Sequence, residues 1–449
     1  MNATEIRGAV SLAIVYVLRM LGLFMVLPVL AVLAIEYPDY SPLLVGLAVG
    51  GYGLTQACLQ IPMGVLSDRL GRKPVIIAGL LLFALGSAVA GMATSLQWVV
   101  VGRFLQGAGA IAGAVMALAG DISREQQRPK VMAIIGIAIG FSFYLAVLLG
   151  PILAEHVGLS GIFWVTAVMA LLCLPLVVFA VPTATNLAPV GDTLPVPGDV
   201  LRLISHPTLL TLNVSVCLLH LLITLLFMQL PTWLADKGYG LDEHWQIYLP
   251  VLVASVLAMA MLMRLTPRLG NTLSAGIAWL LLGTSLLGFS TSVEQLWTLA
   301  LLLWVFFTGF NFLEANLPAW VSSVAPAGKK GSAMGIYATW QFFGAFLGGS
   351  ISGLASDLNV PHLSLSIAGV VCIVWIFSLR KLQRTERVKR YTLPINLGAR
   401  SEAQLSQALG QLQGVLDITL VPDQQVAYLK VEGASFDVRK ARAVASNEQ

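Results

Sequence analysis

The chain has 449 residues, 57% of them hydrophobic and only 11% charged, with a mean hydropathy of +0.84. Average soluble domains carry roughly 25% charged residues, so this composition cannot cover a water-facing surface. It excludes a soluble globular enzyme, a disordered regulator and a fibrous protein. The formal charge of +4 does not point to nucleic acid, because the basic residues sit in short loops and a C-terminal tail rather than along one stripe.

A spanning helix needs about 20 predominantly apolar residues. Such runs are predicted at about 9–35, 43–67, 74–94, 97–120, 131–154 and 161–181, and again at about 207–234, 245–264, 271–290, 295–322, 331–356 and 361–379. The first run continues as a full span and lacks the short apolar region and small-residue cleavage site of a signal peptide. Between the two sets, residues 182–206 are rich in Pro, Gly, Asp and Thr, the composition of an irregular linker. The expected units are therefore a six-helix bundle at 1–181, a cytoplasmic linker at 182–206, a second bundle at 207–380, a basic tether at 381–390 and a cytoplasmic domain at 391–449.

Loop charge sets the expected orientation. With the N-terminus inside, one set of loops holds Arg7, Arg69, Arg72, Lys73, Arg124, Arg128, Lys130, Arg202, Arg264, Arg268, Lys329 and Lys330, and the opposite set holds only Lys237. That bias predicts cytoplasmic N- and C-termini in a bacterial inner membrane. Cys58, Cys173, Cys217 and Cys372 lie inside apolar runs without metal or disulfide spacing and are read as packing residues.

The two halves echo each other. The loop after span 2 reads Ser67-Asp68-Arg69-Leu70-Gly71-Arg72, and that after span 8 reads Thr266-Pro267-Arg268-Leu269-Gly270-Asn271. Parallel six-helix repeats are a transporter architecture, with substrate bound near the midplane between them. From about residue 391 the pattern changes. Residues 391–397, 415–421 and 426–431 read as strands, and 401–412 and 434–445 as amphipathic helices. The order β-α-β-β-α predicts a small α+β ferredoxin-like domain, without Cys or His to chelate a metal.

The strongest local signal is Gly64-Val65-Leu66-Ser67-Asp68-Arg69-Leu70-Gly71-Arg72-Lys73-Pro74. Gly64 permits close helix approach and Gly71 a tight turn. Asp68 suits a neighbouring helix N-terminus, and Arg72 can pair with Asp121 at the end of span 4. The expected device is a gating latch of Gly64, Asp68, Arg69, Gly71, Arg72 and Asp121; the plainer reading is a basic topology anchor, and both stay open. The undecapeptide resembles the span 2–3 loop of the major facilitator superfamily, and Arg103-Phe104-Leu105-Gln106-Gly107-Ala108-Gly109-Ala110 resembles its span-4 motif. Arg19-Met20-Leu21-Gly22-Leu23-Phe24-Met25-Val26-Leu27-Pro28 and the appended tail are most similar to its YajR-type drug efflux transporters. The resemblance implies a twelve-helix, all-α membrane fold, alternating access and proton coupling. Gly150-Pro151 matches the Gly-Pro of the family's antiporter motif and is expected to act as a hinge, although Ile152-Leu153-Ala154 departs from the small residues that follow it there.

Ionisable groups inside a bilayer are functional candidates by default. Arg19 in span 1 and Arg103 in span 4 are candidates for proton coupling, a role the resemblance implies for Arg103; satisfaction by neighbouring carbonyls is the structural alternative. Glu314 in span 10 and His220 in span 7, which shares a face with Asn213 and Thr224, are the candidate proton carriers. Gln56, Gln60, Gln106, Asn311, Tyr337 and Gln341 are candidates to line a substrate cavity, or else bond helices together. Trp164, Trp304, Phe306 and Phe307 are expected to face lipid or packing neighbours. No nucleophile–base pair, metal cluster or phosphate loop emerges, so neither an enzyme, a metal site, a cofactor nor direct ATP use is expected. The reading is a proton-coupled exporter of small amphipathic, drug-like molecules, its partners being substrate, protons and lipid. It is expected to work as a monomer, with the tail as candidate for a weak dimer contact. The alternatives are a proton symporter importing a polar nutrient and a membrane sensor that signals through the tail.

Overall fold

A computed structural model describes the chain apart from residues 125–126, 183–201, 292–293, 327–328, 386–387, 396–400, 422–425, 433–435 and 447–449. Most of the expected linker falls outside the described residues. Ten helical stretches among those described are long and apolar enough to cross a membrane. One of them, Lys130–Ala180, contains Gly158 at φ 66° and ψ −177°, which breaks the helix into two arms. A further helix, Lys330–Asp357, has 28 residues but is diluted by Gly, Ser, Thr and Gln. With both arms and this helix, the described residues make the twelve expected passes.

The passes are α1 (Ala3–Met25) with α2 (Leu27–Leu33); α3 (Pro42–Leu70); α4 (Arg72–Gly91); α5 (Leu96–Ala108) with α6 (Ala112–Asp121); and the two arms of α7 (Arg128–Pro175). Then come α8 (Pro207–Phe227) with α9 (Leu230–Asp236), α10 (Trp245–Leu269), α11 (Asn271–Phe289), α12 (Leu296–Val324), α13 (Lys330–Asp357) and α14 (Pro361–Trp375). Three passes that read as single helices are interrupted. Passes 1 and 7 restart at Leu27-Pro28 and Leu230-Pro231, where a proline in the first turn has no amide to offer the turn before it. Pass 4 breaks at residues 109–111, with Gly109 at ψ 47°. Irregular backbone is tolerated at membrane depth where protein covers it, and below Arg19 is shown to cover this one.

The sequence echo is also a conformational one. Gly71 (φ 93°, ψ 154°) and Gly270 (φ 82°, ψ 157°) turn the chain in the same way six passes apart. Positive φ of this kind is open to glycine and costly for residues with a Cβ. The bundle end bearing Arg72 and Arg268 is called the basic end below.

At the opposite end, Asp39 anchors the start of α5 from a distance in sequence. Its carboxylate accepts from the Leu96 amide at 2.6 Å and the Gln97 amide at 3.1 Å. Desolvation pushes its pKa up, but these amide bonds outweigh it and hold the carboxyl below its ordinary value of 3.8. A depressed folded pKa stabilises above the unfolded value and is lost as pH falls through the folded one. Asp39→Ala should therefore cost about 1 kcal/mol of stability for the lost helix-start bonds and lower the thermal midpoint. In detergent melts the gap to wild type should be full at pH 6 and close under strongly acidic conditions.

The helices bury two main cores. One gathers Trp279, Phe306, Phe307 and Phe312 of the second six passes, and the other Leu12, Phe83, Val115 and Cys173 of the first. Phe306 and Phe307 are thus packing residues, whereas Trp164 is 44% exposed. The two halves meet where α3 runs along α13. A Cβ on Gly46 would collide with the Gly349 carbonyl oxygen, one on Gly50 would lie 2.8 Å from that of Phe346, and one on Gly53 would collide with that of Phe342. Backbone touches backbone along this seam, on the half of α3 away from the basic end.

The tail forms β1 (Val388–Pro394), α15 (Glu402–Gly410), β2 (Val415–Val421), β3 (Val426–Glu432) and α16 (Val438–Ser446). Its sheet has the order β1-β3-β2, with both pairings antiparallel, which is the ferredoxin-like arrangement of a β-α-β-β-α chain. Leu393, Leu405, Leu429 and Ala441 share its core. Ile376–Thr385 continues from α14 as a 3-10 segment, and β1 starts at Val388.

Candidate functional site

At the basic end, Gly71 ends α3 and starts α4 with Arg72. The Arg72 guanidinium donates to Asp121 Oδ2 at 2.9 Å, to Ser67 Oγ at 3.1 Å and to Asp68 Oδ1. The Asp121 side chain is fully buried and that of Arg72 is 9% exposed. These bonds join α3, α4 and α6, all within the first half. Arg69 is exposed and takes no part in them. The repeat has kept the turn but not the charges of this cluster, with Pro267 and Asn271 standing at the places of Asp68 and Arg72. Removing one partner of a buried ion pair costs about 3–5 kcal/mol, because the other charge is stranded. Arg72→Ala should therefore melt well below wild type, and Arg72→Lys in between, as thermal unfolding in detergent would show.

Deeper in the same half are two arginines that bond to no carboxylate among the described residues. Arg19, 1% exposed, donates to Tyr52 Oη (2.9 Å), Gln56 Oε1 (3.1 Å) and the Gly109 carbonyl (3.0 Å) released by the break in pass 4. It also lies 5.4 Å from the centre of the Phe83 ring. Its Nε and Nη1 have no hydrogen-bond partner among the described residues. Arg103, 3% exposed, donates to the carbonyls of Ala48 (2.8 Å) and Val49 (3.4 Å) and to Gln106 Oε1 (2.7 Å). Every acceptor is neutral. Gln56 donates in turn to Gln60 at 2.8 Å.

Gln106, expected to line a cavity, is fully buried. It donates to Ser87 Oγ at 2.7 Å, and so ties α5 to α4. Its helical face is the one that holds Arg103 in place, with its oxygen accepting from the guanidinium. α7 continues through Gly150 and Pro151, and its break at Gly158 falls between the fifth and sixth expected spans. A Cβ on Gly150 would lie 2.7 Å from the Met25 carbonyl oxygen, so its small size serves contact with pass 1.

The other candidates come together in the second half. His220 on α8 has its Nε2 2.7 Å from Gln341 Nε2 on α13 and 3.8 Å from Glu314 Oε2 on α12. The His220 Nδ1 lies 3.2 Å from the Val216 carbonyl. That carbonyl can only accept, which puts the proton on Nδ1 and leaves the Nε2 lone pair for the Gln341 amide. One turn before Glu314, Asn311 accepts from Tyr144 Oη at 2.7 Å and donates to Ser255 Oγ at 3.0 Å. Tyr144 belongs to the first half, so this bond crosses between the halves. Phe143 beside it packs against Phe24, Phe227 and Phe310, again from both halves. Tyr337 is 3% exposed, and among the described residues its hydroxyl is unpartnered and Glu314 Oε2 accepts no hydrogen bond.

Five residues flagged separately, His220, Asn311, Glu314, Tyr337 and Gln341, thus lie on three neighbouring helices around one polar centre. Sequence reasoning missed Tyr144 and Ser255. The only available signal for Tyr144 was its polar tip at the end of Phe141-Ser142-Phe143-Tyr144. The centre offers an imidazole whose Nε2 lone pair faces an amide, a carboxylate short of donors and an amide able to present either end. That set can hold or pass a proton without a metal or a nucleophile.

Known proteins agree with this architecture. The model of the Major Facilitator Superfamily matches residues 12–349. The chain is 36% identical to the Inner membrane transport protein YajR of Escherichia coli K12, with 98% of each chain covered. It is 24% identical to the Multidrug resistance protein MdtH of Edwardsiella ictaluri, over 83% of this chain and 95% of that one. A solved bacterial homologue of the human lysosomal transporter Spinster, inward-facing and occupied, superposes with a TM-score of 0.72 at 12% identity, covering 86% of this chain and 98% of its own. The chain is a multi-pass membrane protein and belongs to the Major Facilitator Superfamily of transporters.

Proposed function

We propose that the protein is a proton-coupled secondary transporter of the bacterial inner membrane that exports small amphipathic molecules by alternating access, with both termini in the cytoplasm. The observation that carries this reading is the centre of His220, Gln341 and Glu314 beside the interhalf bond from Tyr144 to Asn311. A proton arriving at His220 Nε2 cannot coexist with a donating amide, so Gln341 must turn its oxygen to the ring. The same proton sets a cation 3.8 Å from Glu314. Opposite charges at about 4 Å attract by up to about 4 kcal/mol at an intermediate dielectric, and by less where water reaches the carboxylate. Even half of that exceeds the 1.4 kcal/mol that changes a two-state population tenfold. Protonation would thus rearrange groups one helical turn from the bond joining the halves.

The preference for amphipathic solutes rests on the aromatic surroundings of this centre and on its single acid. The basic loops support cytoplasmic termini, and the names of the relatives fit an inner-membrane exporter. The deciding measurement uses vesicles reconstituted with the purified chain, an imposed pH gradient and a panel of fluorescent cationic and neutral amphiphiles. At least one should move against its gradient, in the direction opposite to proton flow. Fluxes indifferent to the pH gradient across the whole panel would sink the coupling, and co-directional movement would make the protein an importer.

A further inference from the structure

At the end opposite the basic loops, a cleft of about 220 Å³ opens between the halves and shares no lining residue with the central polar group. Its walls come from Tyr40 and Pro42 on the first half and from Gln229, Thr232, Trp233, Asp236 and Ser356 on the second. Gln229 stands at the break between α8 and α9, is 5% exposed, and has neither its amide oxygen nor its amide nitrogen hydrogen-bonded among the described residues. A buried amide without partners costs free energy unless a ligand or water satisfies it. Asp236 adds an exposed carboxylate that forms no ion pair among the described residues. Trp233 has one ring face stacked on Phe289 at 5.5 Å, and Tyr40 brings a second aromatic ring. No basic side chain lines the cleft.

An anion would meet Asp236 here without a compensating cation, and a purely apolar ligand would leave Gln229 unsatisfied. A compact organic ammonium ion fits all the groups present. Its charge faces Asp236 and the aromatic rings, which attract cations, its N–H groups meet the Gln229 oxygen, and its apolar body fills the space beside Pro42. We propose that this cleft is a second binding site, for small organic ammonium ions, separate from the central polar group. Because its walls belong to both halves, an occupant holds them together at this end.

The test uses the full chain in lipid nanodiscs and phenethylammonium as probe, with phenethyl alcohol as the neutral counterpart. Calorimetric titration should show saturable binding of the ammonium ion and none of the alcohol. Asp236→Asn and Gln229→Leu should each weaken binding roughly tenfold or more, while Glu314→Gln leaves it unchanged. Gln229→Leu removes an unpartnered amide and Asp236→Asn alters an exposed side chain, so both variants should fold; their melting curves check this. Equal binding of the alcohol, or undiminished binding by Asp236→Asn, would overturn the proposal. So would binding that is lost in Glu314→Gln but kept in Asp236→Asn, which would move the ammonium ion to the central site.

Discussion

Glu314→Gln should reduce proton-driven accumulation of a transported solute by roughly tenfold or more, with gradient-free exchange of the same solute little changed, as expected of a carboxylate that takes part in coupling. The amide has nearly the carboxylate's shape and cannot attract a cation at His220. The wild-type chain can lower the energy of its protonated imidazole by the Glu314 charge 3.8 Å away; the variant cannot. Exchange needs only the two halves to move with solute bound, so it should survive. Gln341→Leu tests the same switch from the other side. It removes the amide that occupies the His220 Nε2 lone pair, and so should shift the pH profile of transport without abolishing it. A structural role for Glu314 alone would instead depress coupled transport and exchange together, with a lower melting temperature. Parallel flux and thermal measurements separate the two outcomes.

Gly46→Val and Gly53→Val should drive the halves apart at the end away from the basic loops. Each new Cβ would collide with a backbone carbonyl on α13, and backbone yields less readily than a flexible side chain. Overpacking a core that can relax costs about 1–3 kcal/mol, and a seam of two backbones has less room to do so. The chain therefore has a cheaper escape, since each bundle keeps most of its core within its own half and the seam can open as a whole. Spin labels at Ile35 and Leu358, both exposed near this end, should report a longer and broader distance distribution in either variant than in wild type. Transport should fall in both, because one of the two alternating states is penalised. An unchanged distance together with normal transport would mean that the seam is not a moving contact.

The passes and their order were legible because each helix reveals itself locally, by a run of apolar residues long enough to span a bilayer. The tail was legible for the same reason, its strands alternating and its helices amphipathic. The breaks in passes 1, 4 and 7 were not read, although Pro28, Pro231 and Gly109 were in plain view. A proline or glycine permits a break, but only neighbours able to take the freed carbonyls decide that it occurs, as Arg19 does for Gly109. Gln106 shows the converse failure. Its helical spacing placed it on the face of Arg103 correctly, yet spacing along one helix says nothing of whether that face meets a cavity or Ser87 of the next helix.

By itself, the sequence determined a twelve-pass membrane chain built from two related halves, the shared Arg-Leu-Gly turn and the β-α-β-β-α tail, because hydropathy, loop charge and turn chemistry are properties of neighbouring residues. Only the tertiary structure decided that His220, Glu314 and Gln341 share one centre, that Tyr144 reaches it from the other half, that Asp68, Arg72 and Asp121 join three helices of the first half, and that α3 and α13 touch along glycines. Those outcomes depend on which faces of distant helices meet. A helix carries its face in its own spacing, but its partner is chosen by the packing of the whole bundle.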